Sequence, residues 1–159
     1  MSVFTLKCIV SGGQTGADRA ALDWAIQHGI PHAGWCPRGR KADDDLPIDN
    51  RYQLKETPSD DYAQRTEWNV RDSDGTVIFT IASDLTGGSA LTRSFTQQYH
   101  KPYVHIHSSL PHPGSVLQAF LRQHHIHILN VAGPRASTEP EIGVLITKVL
   151  DEARLEGNL

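Results

Sequence analysis

Apolar positions along this 159-residue chain recur with two periods that take turns from one end to the other. Positions 6–10 form a short apolar run closed by Ile9 and Val10, the pattern of a strand buried on both faces. Ser11-Gly12-Gly13-Gln14-Thr15-Gly16 interrupts it. Positions 17–28 then set Ala21, Leu22, Ala25 and Ile26 at helical spacing, with Gly29 where a C-terminal capping glycine belongs. A second strand is predicted at 33–36. Positions 37–61 are polar, carry Pro37, Gly39, Pro47 and Pro58, and read as one long ordered loop; such loops inside compact domains are commonly functional. Further on, the spacing predicts a helix at 62–71, a strand at 76–81 and a helix from Gly87-Gly88 to near His100. A strand at 103–107 follows Pro102, and Pro113 suits the first turn of a helix reaching about 125. A strand at 126–131 and a helix over about 140–156 complete the pattern. Alternating strands and helices imply parallel pairing through right-handed crossovers. The expected fold is α/β, a Rossmann-like three-layer sandwich with a mostly parallel sheet of about five strands, one domain over 1–159.

Composition narrows the function more than the fold. The hydrophobic fraction of 38% and charged fraction of 21% are ordinary for a globular chain. No apolar run approaches the roughly 20 residues of a membrane-spanning helix. Positions 1–7 show no basic segment followed by a cleavable apolar one, so no secretory leader is expected. Two cysteines, Cys8 and Cys36, cannot build a disulfide scaffold, and a cytoplasmic location is expected. A formal charge of −3 speaks against a general nucleic-acid binder. The expected partner is therefore a small molecule, with neither nucleic acid nor membrane involved.

In an open parallel sheet, ligands bind beyond the carboxyl ends of the strands, and three glycine-bearing loops leave strands at that edge. The first, positions 11–18, has glycines that permit positive φ and close backbone approach, and its helix start favours an anion. Ser11, Gln14 and Thr15 add side-chain donors. The second runs Leu85-Thr86-Gly87-Gly88-Ser89-Ala90 and the third Ala132-Gly133-Pro134-Arg135-Ala136-Ser137. Two familiar phosphate motifs do not fit. A Walker loop needs Lys and Ser or Thr after its last glycine, where Ala17-Asp18 stand. The dinucleotide pattern would need glycine at Ser11 and an acid after the second strand, where Cys36-Pro37-Arg38-Gly39-Arg40-Lys41 stands instead. Cations there suit a phosphate better than a ribose diol.

Several segments taken together resemble the molybdenum carrier family: Ser11-Gly12-Gly13-Gln14-Thr15-Gly16-Ala17-Asp18-Arg19-Ala20-Ala21-Leu22-Asp23, Gly34-Trp35-Cys36-Pro37-Arg38-Gly39-Arg40, Tyr62-Ala63-Gln64-Arg65-Thr66-Glu67-Trp68-Asn69-Val70-Arg71-Asp72-Ser73-Asp74-Gly75-Thr76, Leu85-Thr86-Gly87-Gly88-Ser89-Ala90-Leu91-Thr92 and Leu129-Asn130-Val131-Ala132-Gly133-Pro134-Arg135. The resemblance implies a protein that holds the molybdenum cofactor (molybdopterin, a pterin bearing a phosphate) until an apo-molybdoenzyme accepts it. Related folds pair through their helices, so a homo-oligomer is expected. The wider superfamily is similar to the Lonely Guy phosphoribohydrolases, formerly called lysine decarboxylase-like, which carry G-G-x-G-T-x-x-E. Here that stretch reads Gly87-Gly88-Ser89-Ala90-Leu91-Thr92-Arg93-Ser94, with Ser94 in place of the glutamate.

The expected ligand is thus the molybdenum cofactor or another nucleotide phosphate. Its anion would rest on Gly12, Gly13 and Gly16 and on Gly87 and Gly88. Arg38, Arg40 and Arg135 would neutralise charge; Thr15, Thr86 and Ser137 would give hydroxyls; Ser11, Gln14, Ser89 and Gly133 would complete the site. Gly13→Val is expected to abolish binding with little loss of folding. Asp18 either complements the helix dipole or accepts from the ligand. Arg65, Asn69 and Asp72 share one helix face, so that helix is either solvated around a Trp68 anchor or walls the pocket, with Arg65 or Arg71 reaching a phosphate. An alternative is a hydrolase or transferase with Asp18, Glu67 or Asp72 as acid–base groups; a second is a nucleotide sensor. Asp43-Asp44-Asp45 reads as a solvated acidic turn and His105, His107, His125 and His127 as surface or core histidines, so no metal ligands are assigned, although a diphosphate would bring Mg²⁺. Cations beside Cys36 are expected to lower its pKa, making it a soft ligand for molybdenum or a reactive thiol.

Overall fold

The computed structural model describes residues 5–157; positions 1–4, on which much of the reading about a leader rests, lie outside them. In chain order the elements are β1 (Cys8–Val10), α1 (Ala17–Gln27), β2 (His32–Ala33), β3 (Trp35–Cys36), β4 (Lys55–Glu56), α2 (Tyr62–Arg71), β5 (Gly75–Thr80), α3 (Gly87–Gln98), β6 (Tyr103–His107), α4 (Pro113–Gln123), β7 (Ile128–Ala132) and α5 (Ile142–Gly157). Five strands form one parallel sheet in the order β2-β1-β7-β5-β6. The α/β three-layer architecture read from the sequence is therefore the one observed. No helix among the described residues is long and apolar enough to cross a membrane.

Burial explains the strands. All six residues of β5, Gly-Thr-Val-Ile-Phe-Thr, are buried, as a parallel strand covered on both faces requires. On one face α5 packs between α1 and α4. There Ile9, Phe79, Leu117, Leu121, Leu129, Ile146 and Leu150 are inaccessible to solvent, each side chain contributing about 1.5–3 kcal/mol by leaving water. Trp24 donates its indole N–H to Asp151 across the α1–α5 contact at 2.8 Å. A Cβ on Gly114 would stand 2.5 Å from that of Glu152, so α4 crosses α5 closely only because position 114 is glycine. The second face carries α2 and α3, joined by the Tyr99 hydroxyl donating to Glu67 at 2.9 Å.

The segment after α1 departs from the sequence pattern. Positions 33–36 do not make one strand. The chain leaves the main sheet at Ala33, passes through Gly34 (φ +144) and enters a separate two-stranded sheet, β3 with β4. A Cβ on Gly34 would lie 2.0 Å from the Ser11 carbonyl oxygen, so only glycine fits the crossing. The loop expected at 37–61 accordingly contains a strand, and its Ala42, Ile48 and Tyr52 form a small core with Leu22 of α1 and Cys36 of β3. Asn69 fastens this unit to α2, accepting from the Trp35 amide at 2.7 Å and donating to its carbonyl at 2.9 Å.

Candidate functional site

β1 sends the chain outward to β2 and β5 sends it the other way to β6, while β7 inserts between them. That reversal opens a crevice beyond the carboxyl ends of β1, β7 and β5, where doubly wound sheets place ligands. A cleft of about 630 Å³ lies there, lined by parts of all three glycine-bearing loops and by one side of α2. Its size suits a cofactor-sized molecule.

The floor holds a buried ion pair. Arg65 Nη1 stands 3.3 Å from Asp18 Oδ2 and donates to the Gly12 carbonyl at 3.2 Å, with side chains only 10% and 11% exposed. Burial pushes the Asp18 carboxyl above the ordinary carboxylate range, and the Arg65 charge with the Gln14 amide bond offsets part of that rise. A Cβ on Gly12 would lie 2.3 Å from Arg65 Nη1, so glycine there makes room for the guanidinium. Of the two arginines that could reach the cleft from α2, the one that does is Arg65. Arg71 lies over the Trp68 ring and pairs with Asp72.

The first loop is not an open phosphate cradle. Gly13 (φ +78) faces the small core, where an added Cβ would stand 2.8 Å from Leu54 and 3.0 Å from Ile48. Gly16 (φ +80) is pressed against the Pro134 and Arg135 backbone. The Ala17 amide donates to Pro134, and Asp18 itself accepts from the Gln14 amide, so a built-in carboxylate already serves the start of α1. Ser11 donates to Val131, tying β1 to β7. Thr15 donates to Asp43 at 2.6 Å and accepts from the Ala136 amide. Of that loop, Gly12, Gln14 and Asp18 line the cleft.

The start of α3 is different. Thr86 makes no side-chain cap, and Gly87 and Gly88 donate to no partner among the described residues. A Cβ on either glycine would meet nothing within 4 Å. Thr86, Gly87, Gly88 and Ser89 all line the cleft, as do Gly133, Arg135 and Ser137 from the third loop. Opposite them, Gln14 is 5% exposed and its Oε1 accepts from the amides of Thr15 and Asp43, both at 3.0 Å. Those two donors fix the amide's orientation and leave Nε2 as a buried donor with no acceptor among the described residues.

Other expected residues stand elsewhere. Arg38 is exposed and donates to the Pro58 carbonyl. Arg40 donates to the carbonyls of Ile48, Asp49, Tyr52 and Leu54, and its role is to organise the turn around the small core. Glu67 is engaged by Tyr99, and Asp72 by Arg71 and the Trp35 indole; neither lines the cleft. Asp43 is no solvated turn: it accepts from Thr15 and Ser137, clasping the first and third loops, while Asp44 pairs with Arg19. Cys36 is fully buried, and burial pushes its thiol up despite the Arg40 charge, against the lowering expected from nearby cations. No three metal-ligating side chains converge among the described residues. The sequence reading missed Thr80 and Asn130 as part of the lining. Asn130 left a signal, an amide within a buried apolar strand, where it donates to Thr76 at 3.2 Å.

A protein of Syntrophus aciditrophicus named "Putative molybdenum carrier protein" superposes with a TM-score of 0.90 at 46% identity, over 95% of this chain and 96% of that one. A diphosphate reductase, acting on (E)-4-hydroxy-3-methyl-but-2-enyl diphosphate, gives only 0.39 at 7% identity over 91% of this chain and 59% of that one, too loose a likeness to build on. No curated protein sequence matches. Residues 9–154 match the model of the circularly permutated YpsA SLOG family, and the chain belongs to that family.

Proposed function

We propose that the cleft binds a phosphate-bearing, nucleotide-like small molecule, and that the chain is a carrier of the molybdenum cofactor. The observation that carries the reading is the uncapped Gly87-Gly88 start of α3, opening onto the cleft with its amides unpaired among the described residues. Amides and dipole there favour a phosphate, with the Thr86 and Ser89 hydroxyls alongside. The orphan Nε2 of Gln14 supplies what the ring of a pterin or a base needs, a fixed donor to a carbonyl or ring nitrogen. The donor set therefore fits a pterin phosphate, and the name of the Syntrophus relative supports molybdenum as the cargo. An Mg²⁺ ion, where present, would come with a diphosphate ligand.

Turnover is disfavoured on two grounds. Ser94, standing where the hydrolase signature has its glutamate, is exposed and donates to the Leu91 carbonyl. Of the acid–base candidates only Asp18 lines the cleft, and Arg65 holds it. A cytoplasmic location, self-association and delivery to an apo-molybdoenzyme belong to the same proposal.

The test is calorimetric titration with molybdenum cofactor, its metal-free pterin and nucleoside mono- and diphosphates, each mixture chromatographed afterwards. Binding of the pterin phosphate with intact recovery supports a carrier. Release of a free base would make the protein a hydrolase. Gly88→Asp sharpens the experiment, because the new side chain has open space and suits a helix start, yet sets a carboxylate against the phosphate. The expected result is unchanged folding with affinity lowered at least about tenfold; unchanged affinity would remove the α3 start from the site.

A further inference from the structure

Tyr62, the first residue of α2, lines the cleft, and three cations surround its ring. Lys41 Nζ lies 4.8 Å from the ring centroid, and the guanidinium carbons of Arg65 and Arg135 each lie 5.3 Å from it. They come from three separate parts of the chain: the 37–61 segment, α2 and the loop after β7. Arg65 is neutralised by Asp18. Lys41 and Arg135 have no ion-pair partner among the described residues. Arg135 acts on the charge of Asp43, whose carboxylate is already bound by the Thr15 and Ser137 hydroxyls.

Like charges gathered on one ring repel each other. The ring's quadrupole holds each cation weakly and leaves the N–H donors of Lys41 and Arg135 free. Such a cluster is completed by an anion. The α3 start shares none of its residues with this cluster and already offers a place for one phosphate.

We propose that Arg135, which lines the cleft, and the exposed Lys41, both gathered on Tyr62, form a second anion subsite at the cleft's edge, so that its ligands carry two anionic groups. One is a phosphate on the α3 start; the other is a phosphate or another oxyanion on this cluster. The inference rests on the cleft reading above and specifies the ligand class.

The measurement uses the purified full chain with orthophosphate, pyrophosphate and tripolyphosphate, and in parallel adenosine 5′-monophosphate, 5′-diphosphate and 3′,5′-bisphosphate. The parent is expected to favour two-anion compounds over their one-anion partners by about tenfold or more at low salt, and by less at high salt. In Lys41→Gln/Arg135→Gln that ratio should fall to within about twofold, since each lost cation removes attraction felt only by the second group. Among the described residues neither side chain makes a hydrogen bond or ion pair, and an unchanged urea midpoint verifies that the variant is intact. A ratio near one in the parent, or one that survives both substitutions, overturns the second subsite. If one-anion probes bind and Gly88→Asp removes them, the cleft reading stands while the second subsite falls. If no probe in either series binds the parent, both fall.

Discussion

Breaking the buried pair at the cleft floor gives a prediction whose size follows from the geometry. At 3.3 Å, with an effective dielectric of 20, the Arg65–Asp18 attraction is about 5 kcal/mol. Desolvation cancels much of that, so the pair as a whole stabilises little. Removing one partner is another matter, because the other is left buried and uncompensated at a cost of about 3–5 kcal/mol. Arg65→Met also deprives the Gly12 carbonyl of its donor. In a chain of this length the loss lowers the melting temperature by roughly 6–20 °C. The double variant Arg65→Met/Asp18→Asn should recover much of the deficit. The sign of the pH dependence follows from burial, which holds the Asp18 pKa above its unfolded value. Whatever the protonated carboxyl contributes is fully present below the unfolded pKa and is lost as pH rises through the folded one. Removing Arg65 raises that folded pKa further, so the deficit of Arg65→Met should widen from about pH 4 to pH 7. Urea unfolding of the parent, both single variants and the double variant across that range closes the cycle. A single-variant deficit under about 1 kcal/mol that is flat with pH would refute the buried-pair account.

Gly13→Val should destabilise the chain by about 1–3 kcal/mol through positive φ and collision with Leu54 and Ile48, contrary to the expectation that it would spare folding; a denaturant midpoint equal to the parent's would contradict this. Glu67→Gln and Asp72→Asn, both outside the cleft, should bind ligand as the parent does, and weakened binding in calorimetry would place α2's outer side in the site after all. Asp43→Ala should cost about 1–2 kcal/mol and speed proteolytic cleavage within 37–56, because the first and third loops lose their common acceptor. Burial raises the Asp43 pKa, but the Thr15 and Ser137 hydroxyls more than offset it and hold the group below its usual value. That clasp's stability is thus present above the unfolded pKa of about 3.9 and lost as pH falls through the folded one, which an acid titration of parent against variant measures.

The elements were readable because each carries its own period: the buried run of β5, the Ala21–Leu22–Ala25 stripe of α1, Pro113 opening α4. The handover at Gly34 was not, since Trp35 and Cys36 look like a continuation of the strand and only a backbone crossing over Ser11 separates them. For the site, the three loops and their common edge were legible. Which glycines open onto ligand was not: Gly13 and Gly88 have the same local chemistry and differ in what lies across from them, Leu54 and Ile48 for one and empty space for the other. The same limit holds for cations. Arg40 is held by carbonyls up to fourteen residues away, and Lys41 beside it reaches Tyr62. Neighbours in sequence thus diverge in role because tertiary partners, invisible to any spacing rule, decide where each charge ends.

The place of β7 has a bearing on how the molecule comes into being. Its residues 128–132 supply the middle strand of the sheet, the only one to pair with both β1 and β5. During translation, the pairs β2–β1 and β5–β6 emerge first as two halves with a strand-wide vacancy between them. Neither half has a partner for its inner edge until Ile128 has left the ribosome, and α5, which packs on both α1 and α4, follows later still. Folding is accordingly a late and concerted event with many distant pairings, and slow for a chain of this size. Nascent chains stalled before β7 present two bare strand edges to chaperones and to one another.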